Sequence, residues 1–346
     1  MTEPFRAAFT RDFLDEAGGL AYGDIGLGLL EAAPGVAHRF LPEYADVIPP
    51  AQIAGVDGLV LIYPHVTAAT FAAGAETLTV IGRCGVGYDR IDVAACTAHD
   101  VALVNAPDAL RGPTAAGALL LMLALAKQLL PLDRMVREGR WERRGAVAGC
   151  ELNGRTLGIV GLGNTGRELV RLAAPFGMRG LAYSPHADPA AAAGLGVTLT
   201  SLETVLREAD FVCLHCRLTP ETRGLIGARE LAWMKPSAYL INMARGPVVD
   251  HAALVAALQA RRIAGAGLDV FHTEPLPADD PVTQLDNVVL APHWLAGTRD
   301  VFRDAGATNC RALLAAARGE VPPNVVNPEV LARPGFQRKL ARFRVA

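Results

Sequence analysis

Three polar residues of complementary chemistry stand in the second half of the chain: Arg245 in the stretch INMARGPVVD, Glu274 in GLDVFHTEP and His293 in APHWLAGT. Each follows a short apolar run that reads as a strand. In a doubly wound sheet the loops at the carboxyl ends of strands line one crevice, so residues far apart in sequence can converge there. An Arg, Glu and His set in one crevice suits hydride chemistry on a 2-oxo acid. Arg245 can fork onto a carboxylate and polarise the neighbouring carbonyl. His293 can move the proton as general acid or base, with Glu274 orienting its ring and raising its pKa.

A hydride donor needs a cradle, and one is readable upstream. The stretch LGIVGLGNTGRELVRLAAPF holds Gly161, Gly163 and Gly166 at G-x-G-x-x-G spacing, with Asn164 and Thr165 inside the turn. A β-branched run precedes it, and Leu169, Leu172, Ala173 and Phe176 recur behind it at helical steps. This strand-turn-helix context predicts a dinucleotide site with the pyrophosphate at the helix N-terminus. An NAD-type site carries Asp or Glu about 20 residues past the glycines, for the ribose 2′-hydroxyl. Here Ser184, Pro185 and His186 stand instead, and Asp188 lies a few residues on. The expected cofactor is therefore NAD(P), leaning to NADP.

These residues must be held by an α/β scaffold. Short apolar runs at residues 157–160, 180–183, 211–214, 239–242, 265–268 and 288–290 alternate with helical patterns, as in a doubly wound sheet. Runs at 56–62, 77–81 and 101–104 predict a second parallel sheet. Residues 115–130 read as an apolar helix begun by Pro113 and Thr114 and stopped by Pro131. At roughly 150 residues per domain, 346 residues predict two domains.

Composition removes other classes. Lys+Arg 33 against Asp+Glu 35 leaves a charge of -2, which supplies no field for nucleic acid or an anionic membrane. The longest apolar run has 12 residues where a membrane span needs about 18. Charged residues at Glu3, Arg6, Arg11 and Asp12 interrupt any secretory signal, so the expected location is cytoplasmic. Six cysteines in this length read as reduced thiols, and Cys213, His215 and Cys216 as strand packing, so no metal is expected. His38, His65, His99, His251 and His272 share no motif and read as surface or satisfied histidines.

Taken together with RCGVGYDRID at residues 83–92 and LHCRLTPET at 214–222, the motifs resemble the D-isomer-specific 2-hydroxyacid dehydrogenase family, from about residue 80 to about 326. The resemblance implies Arg245 as substrate-binding arginine, Glu274 as orienting acid and His293 as proton donor and acceptor. It implies a substrate carboxylate on the backbone at Val86 and Gly87. Asp269 would bond the nicotinamide carboxamide, and Thr219 would belong to the cofactor site. The implied fold is a Rossmann-type nucleotide-binding domain, residues 107–296, inserted into a smaller flavodoxin-like catalytic domain, residues 1–106 and 297–346, in a homodimer. The implied activity is glyoxylate or hydroxypyruvate reduction. A nucleotide-sensing corepressor on the same scaffold and a formate- or phosphite-type dehydrogenase are the alternatives. Departures from the family pattern are Ser184, Arg217 in place of a common proline, and the weakly polar stretch LRGPTAA at 110–116. Trp294, beside His293, could line the substrate pocket or simply pack.

Overall fold

The computed structural model describes residues 3–344. The chain divides into two compact units, one of residues 1–110 and 298–346 and one of residues 111–297. These boundaries lie four residues and one residue beyond those expected from sequence.

The first unit is built on a parallel sheet of five strands: β1 Phe5–Phe9, β2 Val36–Phe40, β3 Gly58–Leu61, β4 Val80–Arg83 and β5 Ala102–Asn105. Their order, β2-β1-β3-β4-β5, is that of flavodoxin-like folds. Phe5, Phe9, Val60, Val80 and Val104 pack with Phe302, Leu313 and Phe336 from the chain's last third, so both chain ends complete one core. β1 and β2 escape the sequence reading because FRAAF and VAHRF mix charge and alanine into runs of five. The neighbouring strands and covering helices bury β1, and local propensity plays little part.

The second unit holds seven parallel strands: β6 Thr156–Val160, β7 Arg179–Tyr183, β8 Val197–Leu199, β9 Phe211–Leu214, β10 Tyr239–Asn242, β11 Gly265–Leu268 and β12 Val288–Leu290. The order β12-β11-β10-β9-β6-β7-β8 is the Rossmann order 3-2-1-4-5-6 extended by one strand. Both faces are covered, and alternate residues of one strand enter different cores. Phe211 and Cys213 join Ile159 and Leu121, whereas Val212 and Leu214 join Val160 and Leu240. Two-sided burial explains why these strands read as continuous apolar runs. β8 escapes the sequence reading because VTL lies at the sheet edge with only Val197 buried, so no apolar run marks it.

One helix differs from its expected course. Pro107 opens it at the first helical position, where its fixed φ fits and no amide is needed, and it runs as Pro107–Ala126 with Pro113 inside. It ends because Gln128 adopts a left-handed φ of 53°. Pro131 then sits in the first turn of a separate helix, Leu129–Arg137, where a missing amide is harmless. By length and hydropathy Pro107–Ala126 could cross a membrane. Its residues Ala115, Ala118, Leu121, Met122 and Leu125 are instead core of the second unit. Leu121 lies so close to Gly267 of β11 that a side chain there would sit 2.9 Å from the leucine Cβ.

Candidate active site

β6 delivers the chain into the glycine turn, and each glycine has a separate physical reason. Gly161 has φ +98°, and a Cβ there would stand 2.6 Å from the amide nitrogen of Cys216, where the chain leaves β9. A Cβ on Gly166 would stand 2.5 Å from the Gly161 carbonyl oxygen, so helix and turn touch backbone to backbone. Gly163 faces open space, with nothing within 4 Å of its Cβ position. Gly163 also occupies the N-cap of the ten-residue helix Asn164–Ala173 and contributes no side chain to it. The first-turn amides, Asn164 and Thr165 among them, lack intrahelical partners and face an approach route cleared of side chains, as a pyrophosphate requires.

The walls of this cradle come from β7 and β9. Ser184 directly follows β7, and its carbonyl accepts the amide of Ala187 at 3.0 Å. The Asp188 carboxylate accepts the amide of Ala190 at 3.0 Å and caps the helix Pro189–Gly194. Past β9, His215 is pushed down to about 4 by burial, and its Nε2 has no hydrogen-bond partner among the described residues. Thr219 lies in the next turn, where its amide donates to the Thr222 hydroxyl at 2.8 Å while that hydroxyl donates to the Arg217 carbonyl at 2.6 Å. Glycine turn, first-turn amides and a partly buried, neutral imidazole together fit a dinucleotide, which supplies a hydride at its nicotinamide when bound.

The three chemical residues leave three adjacent strands, β10, β11 and β12, at their carboxyl ends. His293 Nδ1 lies 2.9 Å from Glu274 Oε2, and Glu274 Oε1 accepts the amide of Phe271 at 3.0 Å. A carboxylate has no proton to give, so Nδ1 donates and Nε2 is the nitrogen left for substrate. Burial alone would raise the Glu274 carboxyl, but the His293 hydrogen bond and charge, the Phe271 amide and the Arg245 charge hold it below its ordinary value. That electrostatic reach places Arg245 in the same site. His293 has φ +55°, a left-handed conformation that costs a non-glycine residue about 1 kcal/mol or more and concentrates at functional sites.

Two supporting residues emerge only in three dimensions. Asn242 is buried, and its side chain accepts the Ala244 amide at 3.0 Å while donating to the Arg245 carbonyl at 3.0 Å, which fixes the turn that carries the arginine. A Cβ on Gly246 would overlap the Phe271–His272 peptide, so the Arg245 turn rests on the Glu274 loop. An Asn at a strand end, three residues before the arginine, was the sequence signal for the first of these.

A model of the D-isomer specific 2-hydroxyacid dehydrogenase NAD binding domain matches residues 119–294. The chain is 41% identical over 312 residues to a glyoxylate reductase of Korarchaeum cryptofilum, covering 87% of this chain and 94% of that one. It belongs to the D-isomer-specific 2-hydroxyacid dehydrogenase family. Among solved structures it is similar to a glyoxylate reductase from Paecilomyes thermophila, with a TM-score of 0.81 and 28% identity over 94% of this chain and 99% of that one. It also resembles an NADPH-dependent glyoxylate/hydroxypyruvate reductase from Sinorhizobium meliloti in complex with NADP and malonate, with a TM-score of 0.79 and 27% identity over 100% and 99% of the two chains.

As a 2-hydroxyacid dehydrogenase the protein is an oxidoreductase of CH–OH groups that uses a nicotinamide cofactor. In this dehydrogenase Asp269 sits buried just past β11 and receives the amides of Trp294 at 2.8 Å and Leu295 at 3.2 Å. Burial raises the Asp269 carboxyl despite those amides. The Trp294 ring packs on Gly297, where a Cβ would stand 2.6 Å from the indole, and the residue keeps 38% exposure. Cys213 is buried, and burial pushes the Cys216 thiol up to about 11, so both are inert at neutral pH. Val86 and Gly87 belong to the first unit, just past β4. There the Val86 carbonyl accepts the Asn105 side chain at 2.9 Å, and the Arg83 side chain donates to the Cys84 carbonyl.

Proposed function

We propose that this enzyme reduces a small 2-oxo acid, with glyoxylate and hydroxypyruvate the leading substrates, and uses NADPH at least as well as NADH. The observation that carries the reading is the His293 Nδ1 contact to Glu274 Oε2 at 2.9 Å in the field of Arg245. Arg245 holds the substrate carboxylate through its forked donors and polarises the adjacent carbonyl. His293 gives the Nε2 proton to the carbonyl oxygen as the carbon accepts hydride, and Glu274 balances the imidazolium charge before that transfer. In the reverse direction neutral His293 takes the hydroxyl proton. Val86 and Gly87 are the proposed backbone donors to the substrate carboxylate.

The cofactor preference rests on the end of β7. Ser184 carries no charge to repel a 2′-phosphate, and Asp188, the nearest carboxylate in sequence, caps a helix. We further propose a cytoplasmic homodimer. The support for the homodimer is the apolar exposure of Leu120, Leu129, Leu130, Val136 and Trp141 on consecutive elements. The test of function is a panel of 2-oxo acids assayed with NADH and NADPH, repeated with His293→Ala. Reduction of glyoxylate or hydroxypyruvate with kcat lowered about 10²-fold or more in the variant is expected, the low end of positioned acid catalysis. Near-normal turnover by His293→Ala would overturn the assignment.

A further inference from the structure

A second cluster of ionisable side chains lies beside the catalytic loop without taking part in it. His251 opens the helix His251–Gln259, His272 lies two residues before Glu274, and Asp280 caps the short helix Pro281–Gln284. Separations of 21 and 8 residues hide this cluster from any sequence motif. The Asp280 side chain is 7% exposed, and its Oδ1 is held by the Val282 amide at 2.9 Å. Its Oδ2 faces both imidazoles, 3.0 Å from His251 Nε2 and 4.0 Å from His272 Nε2. The two rings stack with centroids 3.8 Å apart. One ligand atom from each residue can be chosen so that all three lie within 4.8 Å of one another.

We propose that His251, His272 and Asp280 form a binding site for a late first-row divalent metal ion of the Zn²⁺ type. Two imidazoles and one carboxylate select this class, since Mg²⁺ and Ca²⁺ take oxygen ligands. Zn²⁺ bonds nitrogen and carboxylate oxygen at about 2.0–2.2 Å, which in tetrahedral geometry spaces ligand atoms by about 3.3–3.6 Å. The His251–Asp280 edge is slightly shorter than that and the His272–Asp280 edge slightly longer. Stacked rings do not aim their lone pairs at one point, so the ion requires a turn of the His272 ring, which is 36% exposed and has room to make it. A fixed, buried carboxylate supplies the anchor, and solvent supplies the fourth ligand. An ion held there ties the segment from Phe271 to Asp280, which carries Glu274, to the start of the helix behind it.

The test is calorimetric titration of the full chain, freed of metal by chelator, with Zn²⁺ at neutral pH. One ion per chain is expected, with binding weakened at least tenfold in His272→Ala and in Asp280→Asn, the second of which keeps an acceptor for the Val282 amide. His293→Ala and Cys216→Ser are expected to bind as the parent does. No binding by the parent, or parent-like binding by His272→Ala, overturns the proposal. So does a loss confined to His293→Ala, which would place the ion on the catalytic pair, or to Cys216→Ser, which would place it on a thiol.

Discussion

Asp269 accepts the backbone amide of Trp294 at 2.8 Å, which fixes the chain one residue beyond the proton-transferring His293. The loop after β12 is therefore set by a carboxylate at the end of β11, and the general acid of one strand depends on its neighbour. The same carboxylate takes the Leu295 amide. Hydrogen bonds to charged groups contribute about 1.5–3 kcal/mol, so Asp269→Ala is expected to lower kcat about tenfold or more by misplacing His293. Asp269→Asn retains an acceptor and should recover part of the loss. Steady-state kinetics on both variants decide this, and an unchanged kcat in Asp269→Ala would show that the amides do not set the histidine.

Arg245→Lys is expected to be costly although it keeps the charge. A lysine is a point charge that cannot grip a carboxylate through two parallel bonds. A drop in kcat/KM of tenfold or more, about 1.4 kcal/mol of transition-state stabilisation, is the expected result with the best 2-oxo acid. Equal kcat/KM would move the substrate anchor to another cation, Arg83 or Arg111.

Ser184→Asp tests the reading of the cofactor. The new carboxylate accepts the ribose 2′-hydroxyl and repels a 2′-phosphate, so the kcat/KM ratio should move toward NADH by about 1 kcal/mol, roughly fivefold. A parent enzyme that strongly prefers NADH, unaltered by the substitution, would show that another group already holds the hydroxyl.

Glu274 gives the molecule a defined acid sensitivity. Its folded carboxyl titrates below the ordinary glutamate value of about 4.3, because His293, the Phe271 amide and Arg245 outweigh burial. A depressed acid contributes stability above its unfolded pKa and loses it as pH falls through its folded one. Melting temperatures of the parent and Glu274→Gln should therefore differ above the ordinary glutamate value of about 4.3 and converge only as pH falls through the lower folded value. A difference that stays constant across that range would mean the carboxylate charge adds nothing to the fold.

Much of this site is legible in the sequence because its parts obey local rules. The glycine turn is written in three residues whose spacing follows from backbone contact. Arg245, Glu274 and His293 each sit a few residues past a strong apolar run, and β9, β10, β11 and β12 fall on the residues their patterns indicated. What escaped was tertiary in origin. β1 and β2 are held by each other, by β3 and by a core that includes the chain's last third, and the left-handed Gln128, not Pro131, ends the long helix. The brace from Asn242 and the His251, His272 and Asp280 cluster exist only once separate loops are brought together.

His293 follows a short edge strand. β12 has three residues and pairs on one side only, with β11, as the outermost strand of its sheet. Strands with a single neighbour open locally at far less free energy than the whole domain. On warming, the rim of the sheet should let go first, so catalytic half-life will be set by detachment of this edge while circular dichroism still reports an intact enzyme. Engineering for durability therefore begins at β12, with the interior of the sheet left as it is.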